Sequence, residues 1–324
     1  MLTSLAFIFL AGLAMAAVCE RIGLPRIIGM LFTGIVLGPY VLNLLDPSIL
    51  GISSELRQMA LIIILLKAGL SLNLADLKKV GRPAMMMAFV PASFEIFAFF
   101  LFAPYVLGIT RVEAAVMGAV LGAVSPAVVI PRMVQLMENS YGTQKSIPQM
   151  IMAGASCDDI FVIVLFTTFV RMACMLKAKC VPEVSKRLSE KFGKLWLAAE
   201  VVLFVLVGAA VDIRYTASAG ASALLMIGIA LLFRAAGVFL CMPGTQLNKK
   251  ERLFCVIAYL PKATVQAAIG SVPLSLGLPC GQLVLSVAVL AILVTAPIGA
   301  IGMDKTYRRL LVHEGGAAGE NPGA

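Results

Sequence analysis

Roughly ten apolar runs follow one another between residues 5 and 302, most of them near the ~20 residues that a helix needs to cross a ~30 Å hydrocarbon layer. No other feature of the chain constrains its fold as much. In hydrocarbon the backbone must satisfy its own amides, and uninterrupted apolar runs of this length do so as helices. The chain is therefore expected to be all-α, a polytopic membrane protein of roughly ten spans. Composition agrees, with 60% of the 324 residues hydrophobic and 13% charged.

The spans are read at about 5–18, 27–45, 56–72, 84–107, 113–136, from 147, and at 195–211, 218–241, 253–274 and 282–302. Residues 1–302 form a single transmembrane domain and 303–324 a cytoplasmic, partly disordered tail. Residues 1–18 lack a basic leader and read as an uncleaved first span. Gly29, Gly34 and Gly38 mark close helix packing, and Lys67 reads as snorkelling to an interface.

The net charge of +9 comes from basic residues gathered in short loops, a topology signal rather than a nucleic-acid footprint. Seven cysteines without a CxxC and one histidine, His313, argue against a disulfide framework and a metal centre. No cofactor is expected.

Against this apolar background a few polar residues stand out. Asp158 and Asp159 are adjacent in AGASCDDIFVIVLFTTFVR, residues 153–171. An ionised carboxylate in hydrocarbon is costly, so such residues face a cavity, a partner or an ion. Neighbouring helix positions point about 100° apart, so one can line a cavity while the other meets a neighbouring helix. Glu95 and Arg234 lie mid-span and read as an ion pair, with Arg234–Asp158 as the rival pairing. Ser125, Pro126 and Pro131 interrupt the fifth span. Pro126 has no amide to donate, so that helix is expected to break near 123–126. Pro261 and Lys262 interrupt the ninth. Broken helices expose carbonyls and helix ends at mid-membrane, where transporters bind ions. Lys262 reads either as compensation for a helix-end partial charge or as part of ion coupling.

The two halves echo each other. Repeat one, about 84–176, runs Glu95, a proline break, then the aspartates. Repeat two, about 217–302, runs Arg234, a proline break, then a span with Thr295 and Pro297. A basic connector, 171–194, lies between them. The pattern predicts an inverted-topology repeat with two broken helices that cross. Loops at 76–82 and 138–145 are basic and two spans apart, hence both cytoplasmic. That places the basic segments at 171–194, 248–252 and 305–309 outside. An odd number of absent crossings between about 170 and 180 removes all three conflicts. The alternative is a segment near 161–177 that enters and leaves on one face.

Five stretches resemble the monovalent cation–proton antiporter superfamily, and within it the bacterial sodium/proton antiporters related to animal NHA-type exchangers. They are GMLFTGIVLGP (29–39), LGAVSPAVVIP (121–131), GASCDDIFVIVLF (154–166), LWLAAEVVLFVLVGAAVDI (195–213) and NKKERLFCVIAYLPKATVQAAIGSVPLSLGLPCGQ (248–282). The resemblance implies secondary active exchange of Na⁺ or Li⁺ for H⁺ by alternating access at Asp158 and Asp159. Around that pair it implies a broken-helix site of Ser125, Pro126, Pro131, Pro261 and Lys262. It further implies a homodimer in the lipid of a bacterial inner membrane, and about three spans missing near 170–180, an odd number as the charge pattern requires. Hard cations prefer oxygen ligands, and burial beside a like charge favours a carboxylate's protonated form, so cation and proton would compete. A K⁺/H⁺ exchanger or channel-like potassium efflux protein of the same superfamily is the alternative, and a truncated, inactive remnant is another. An enzyme is not expected: an intramembrane aspartyl protease needs aspartates on separate helices, and only Asp212 offers a second.

Overall fold

Prolines, glycines and capping side chains divide this apolar chain into helices. A computed structural model describes residues 1–57, 59–60, 63, 81–175 and 196–313, without the side chains of 175, 196–197 and 213–219. The named elements are all helices. They are α1 (Leu2–Arg21), α2 (Arg26–Leu37), α3 (Pro47–Gly51), α4 (Arg82–Leu107), α5 (Arg111–Leu121), α6 (Pro126–Glu138), α7 (Ile147–Met175), α8 (Trp196–Ala209), α9 (Ile213–Leu240), α10 (Lys249–Ala258), α11 (Thr264–Gly270), α12 (Val272–Ser275) and α13 (Gly281–Leu310). Among the described residues, six segments are long and apolar enough to cross a membrane; one of them, Arg111–Glu138, takes in both α5 and α6. Most of the expected third span with Lys67, most of the connector, and the end of the tail (314–324) lie outside the described residues.

Several boundaries differ from the hydropathy reading. α2 stops at Leu37 rather than near 45, because Gly38 is extended ahead of Pro39, where a helical conformation would clash with the ring. α7 runs on to Met175, into the expected connector. α13 continues eight residues past Gly302 to Leu310. Hydropathy marks where lipid ends, not where a helix ends. Nothing between Gly302 and Leu310 breaks the helix, and Arg308 and Arg309 in its last turn suit its negative end. Two capping boxes set other starts: Thr110 with Glu113 opens α5, and Asn248 with Glu251 opens α10.

Helices α1, α2 and α8 pack on one another; α4 to α7, α9 to α11 and α13 form a second group. Among the described residues, the groups meet chiefly where α8 touches α11 and α2 touches α13. Glycines bring α2 and α8 together. A Cβ on Gly34 would collide with the Val205 carbonyl, and one on Gly208 with the Leu31 carbonyl. In the second group the broken helices are innermost. Every residue of α5 from Ala114 to Leu121 is buried, as is every residue of α11.

This packing separates two glycine substitutions. Gly34→Ala must push backbone against backbone and is expected to cost about 1–3 kcal/mol. Gly228→Ala, in the interior of α9 with nothing within 4 Å of the added carbon, is expected to gain up to about 1 kcal/mol. Thermal unfolding in detergent reads both; a Gly34→Ala protein as stable as the parent contradicts the close α2–α8 approach.

Candidate functional site

Two helix breaks meet inside the second group. The first separates α5 from α6 at 122–125 and the second separates α10 from α11 at 259–263. They touch directly, the Ser125 amide donating to the Pro261 carbonyl at 2.8 Å. Each break frees carbonyls where one half-helix ends and amides where the next begins, and buried in apolar surroundings these need partners.

Side chains supply them. At the first break, the carbonyl of Leu121 accepts from Lys262 Nζ and that of Gly122 from Arg234 Nη1. The Ala123 carbonyl accepts from Gln266 Nε2 at 2.8 Å. The amide of Val124 donates to Asp158 Oδ2 at 2.8 Å. At the second break, the Tyr259 carbonyl accepts from Arg234 Nε at 2.7 Å, and the Lys262 amide donates to Thr295 Oγ1 at 3.0 Å. The Ala263 amide donates to Gln266 Oε1 at 2.8 Å. Cations thus meet carbonyl ends and a carboxylate meets an amide end, as the partial charges of helix termini favour.

The same charged groups pair with one another. Arg234 Nη1 lies 2.6 Å from Glu95 Oε2, and Nη2 lies 3.0 Å from Asp158 Oδ2. The two pairings that the sequence left as rivals therefore coexist on one guanidinium. Lys262 Nζ lies 2.7 Å from Glu95 Oε1, a contact the sequence did not suggest. All four side chains are at most 1% exposed. Two acids and two bases cancel in formal charge.

Asp159 is outside this balance. It is 5% exposed, its Oδ1 has no hydrogen-bond partner, and it forms no ion pair with a described residue. Asp158 Oδ1, Ser125 Oγ and the Tyr259 hydroxyl are likewise buried and without partners. Unmet oxygens are thus present both at the first break and on the aspartate helix.

Pro126 opens α6 at the first helical position, where its missing amide costs nothing. Pro261 sits in the second break, its ring against Gly299 of α13, where a Cβ would collide with it. Pro131, expected at the broken-helix site, is instead exposed within α6, which runs on past it to Glu138. An interior proline removes one hydrogen bond and crowds the carbonyl four residues before it, which can kink a helix without ending it, and α6 continues.

Sequence reading did not single out Gln266 or Tyr259, and it noted Thr295 only by position. Signals were present. Gln266 is a lone amide in an apolar helix, three residues after Ala263, at the spacing of a capping box. Thr295 takes an amide from a break 33 residues before it, while Asp158 takes one from a break 34 residues before it. Thr295 thus takes an amide at the second break as Asp158 does at the first.

Comparison with known proteins places the chain in a family. The family model described as sodium/hydrogen exchanger, transmembrane, matches residues 5–181 and 172–304. Sodium/hydrogen exchanger 9B2 of Homo sapiens is 31% identical over 375 residues, covering 89% of this chain and 70% of the relative. Sodium/hydrogen exchanger 9B1 of Mus musculus is 28% identical over 365 residues, covering 86% of this chain and 64% of the relative. The chain therefore spans about two thirds of these relatives' length. Because 86% of 324 residues is about 279, an alignment of 365 leaves about 86 positions that the mouse protein fills and this chain does not. The family match divides at 172–181, where the loop charges called for missing crossings. The solved sodium proton antiporter MjNhaP1 from Methanocaldococcus jannaschii shares the fold, with a TM-score of 0.75 at 16% identity, over 95% of this chain and 99% of that one. The chain belongs to the sodium/hydrogen exchanger family and is a multi-pass helical membrane protein.

The shared role of Glu95 gives an ordered set of stabilities. Glu95→Gln leaves two buried cations facing one carboxylate and is expected to cost about 3–5 kcal/mol. Glu95→Gln/Lys262→Met restores charge balance and is expected to recover much of that loss. Glu95→Gln/Arg234→Met also balances charge but strands the Gly122 and Tyr259 carbonyls and Asp158, and is expected to recover less. Melting temperatures in detergent rank the three; equal recovery by both double variants contradicts the anchoring role of Arg234.

Proposed function

We propose that this member of the exchanger family exchanges Na⁺, or Li⁺, for H⁺ by alternating access, with Asp159 as the acid that cation and proton occupy in turn. One observation carries the reading. Glu95, Asp158, Arg234 and Lys262 balance one another, and Asp159 is the surplus acid beside them. A buried carboxylate without a counter-charge is costly. A proton or a hard monovalent cation relieves that cost, and one charge cannot be neutralised by both at once. Mutual exclusion of this kind is what obligatory exchange requires.

Asp158 takes a supporting part. Its Oδ2 is held by Val124 and Arg234, while its Oδ1 and Ser125 Oγ remain as oxygen ligands of the kind a hard cation takes. Alternating access needs two bodies that can shift against each other. The α1, α2 and α8 group and the broken-helix group, joined by few contacts among the described residues, suit that motion. The names of the relatives, sodium/hydrogen exchangers and a sodium proton antiporter, support the choice of substrates. A homodimer in a bacterial inner membrane completes the proposal, on the strength of the family resemblance. The protein is a transporter and not an enzyme in this reading, because both aspartates belong to one helix and cannot form a dyad across two.

Everted vesicles holding a proton gradient test the reading. Addition of Na⁺ or Li⁺ is expected to release protons in vesicles with the native chain. Asp159→Asn is expected to abolish that response while the protein remains folded and monodisperse in detergent, since Asp159 anchors no described partner. Asp158→Asn is expected to lower stability as well, through Val124 and Arg234. A response to K⁺ alone would reassign the cation, and no response to any cation would identify the chain as an inactive remnant.

A further inference from the structure

Helices α10 and α13 lie side by side and run in opposite directions. A Cβ on Gly299 of α13 would collide with Pro261, just after α10, and one on Gly302 would come within 2.9 Å of Ile257. As α13 advances by three residues, its neighbour falls back by four. Continued for two more turns, that pairing sets Arg309 of α13 abreast of Lys250 of α10. One loop holds both helix ends. Lys145 Nζ lies 2.9 Å from Glu251 Oε2 at the start of α10, and the Tyr141 ring meets that of Tyr307 on α13 edge-on, centroids 5.0 Å apart. Residues 141 and 145 can be no more than about 14 Å apart along the chain.

This end of the molecule, residues 132–145, 248–252 and 304–313, carries eight Lys or Arg against three acids. Two of the acids are taken: Asp304 pairs with Arg132 at 2.9 Å, and Glu251 with Lys145. The third, Glu138, ends α6. Lys249, Lys250, Lys305, Arg308 and Arg309 are exposed, and none forms an ion pair with a described residue. Arg308 is oriented, its Nε donating to the Tyr307 hydroxyl at 2.9 Å. Lys250 and Arg309 therefore face each other as like charges, which repel until an anion comes between them.

The same helix faces are apolar on the side nearer the helix breaks. Ile298 and Ile301 of α13 are 56% and 39% exposed, and steps of three and four residues put them on one face with Lys305, Arg308 and Arg309. Leu253 of α10, 45% exposed, lies one turn from Lys249 and Lys250. Ile257 fills the space at Gly302, so the apolar surface passes from one helix to the other. At 1.5 Å per residue, Lys305 lies about 6 Å beyond Ile301 and Arg309 about 12 Å beyond it. A headgroup layer extends about 5–8 Å past the hydrocarbon on each side of a bilayer. The cations thus stand at and just outside the level of lipid phosphates, above a strip suited to acyl chains.

We propose that the seam between α10 and α13 seats an anionic phospholipid, its phosphate between Lys250 and Arg309 and its acyl chains along Leu253, Ile298 and Ile301. Charge complementarity selects the anion, and the apolar strip selects a lipid over a free phosphate. The seat does not depend on the exchange reaction proposed above.

Native mass spectrometry of the full chain in detergent tests the seat, with phosphatidylglycerol and phosphatidylcholine of identical acyl chains as probes. The parent is expected to retain one phosphatidylglycerol in preference to phosphatidylcholine. Lys250→Gln/Arg309→Gln is expected to bind that lipid about thirtyfold more weakly. Arg21→Gln/Arg111→Gln removes two exposed cations from other helix ends and is expected to leave the affinity unchanged. Equal loss in both double variants would reduce the effect to net charge and overturn the proposal, as would equal retention of the two lipids by the parent. Displacement of the bound lipid by inorganic phosphate would make a free anion the occupant and overturn it too. Without lipid, Lys250→Gln/Arg309→Gln is expected to melt no lower than the parent, because a repulsion is removed. A lower melting temperature would show that these cations are already paired within the protein, and the seat would be rejected.

Discussion

A broken helix inside a membrane protein leaves backbone groups that neither water nor hydrocarbon can satisfy, and this molecule has two such breaks in contact. The repair determines much of what surrounds them. Arg234 and Lys262 answer the carbonyl ends, Asp158 and Thr295 answer amides, and Gln266 spans both breaks with one side chain. Once two cations have been brought in to serve carbonyls, acids must follow to balance them. Glu95 receives both cations and Asp158 shares one.

That balance makes the two neighbouring aspartates chemically different. They are adjacent in sequence, equally acidic in water and deeply buried in the same helix. One is pinned by a backbone amide and a guanidinium; the other forms no ion pair with a described residue. A helix turns about 100° per residue, so neighbours cannot face the same partners. In the function proposed above, the pinned acid belongs to the fixed part of the cluster and the acid that the fixed charges do not balance is the exchangeable part.

The fold around the cluster is divided in a way that suits such a site. The glycine-rich contact between α2 and α8 joins backbone to backbone, so that group is stiff and close-packed. Among the described residues, the contacts from it to the broken-helix group are sparse by comparison. About 86 residues that the mouse relative carries are absent from this chain, and the family match divides at 172–181, near the end of the aspartate helix and well away from both helix breaks. Both breaks and their partners from Glu95 to Thr295 are present regardless.

The amino-acid sequence by itself determined the class of fold, the rough positions of the helices, the places where two of them break, and the short list of charged residues that had to matter. These follow from local chemistry: apolar length, the missing amide of proline, and the cost of a charge in hydrocarbon. It misjudged Pro131, since an interior proline can kink a helix without ending it, and it placed the ends of α2 and α13 where hydropathy changes rather than where the backbone turns. Only the tertiary structure decided how the charges are shared. Arg234 serves two acids and two carbonyls, Lys262 joins Glu95 from 167 residues away, and Tyr259 meets Gly154 across the helix gap. No local pattern encodes those distances. A side chain's partners in a low-dielectric interior are set by which unmet groups the packing of distant helices brings within about 3 Å.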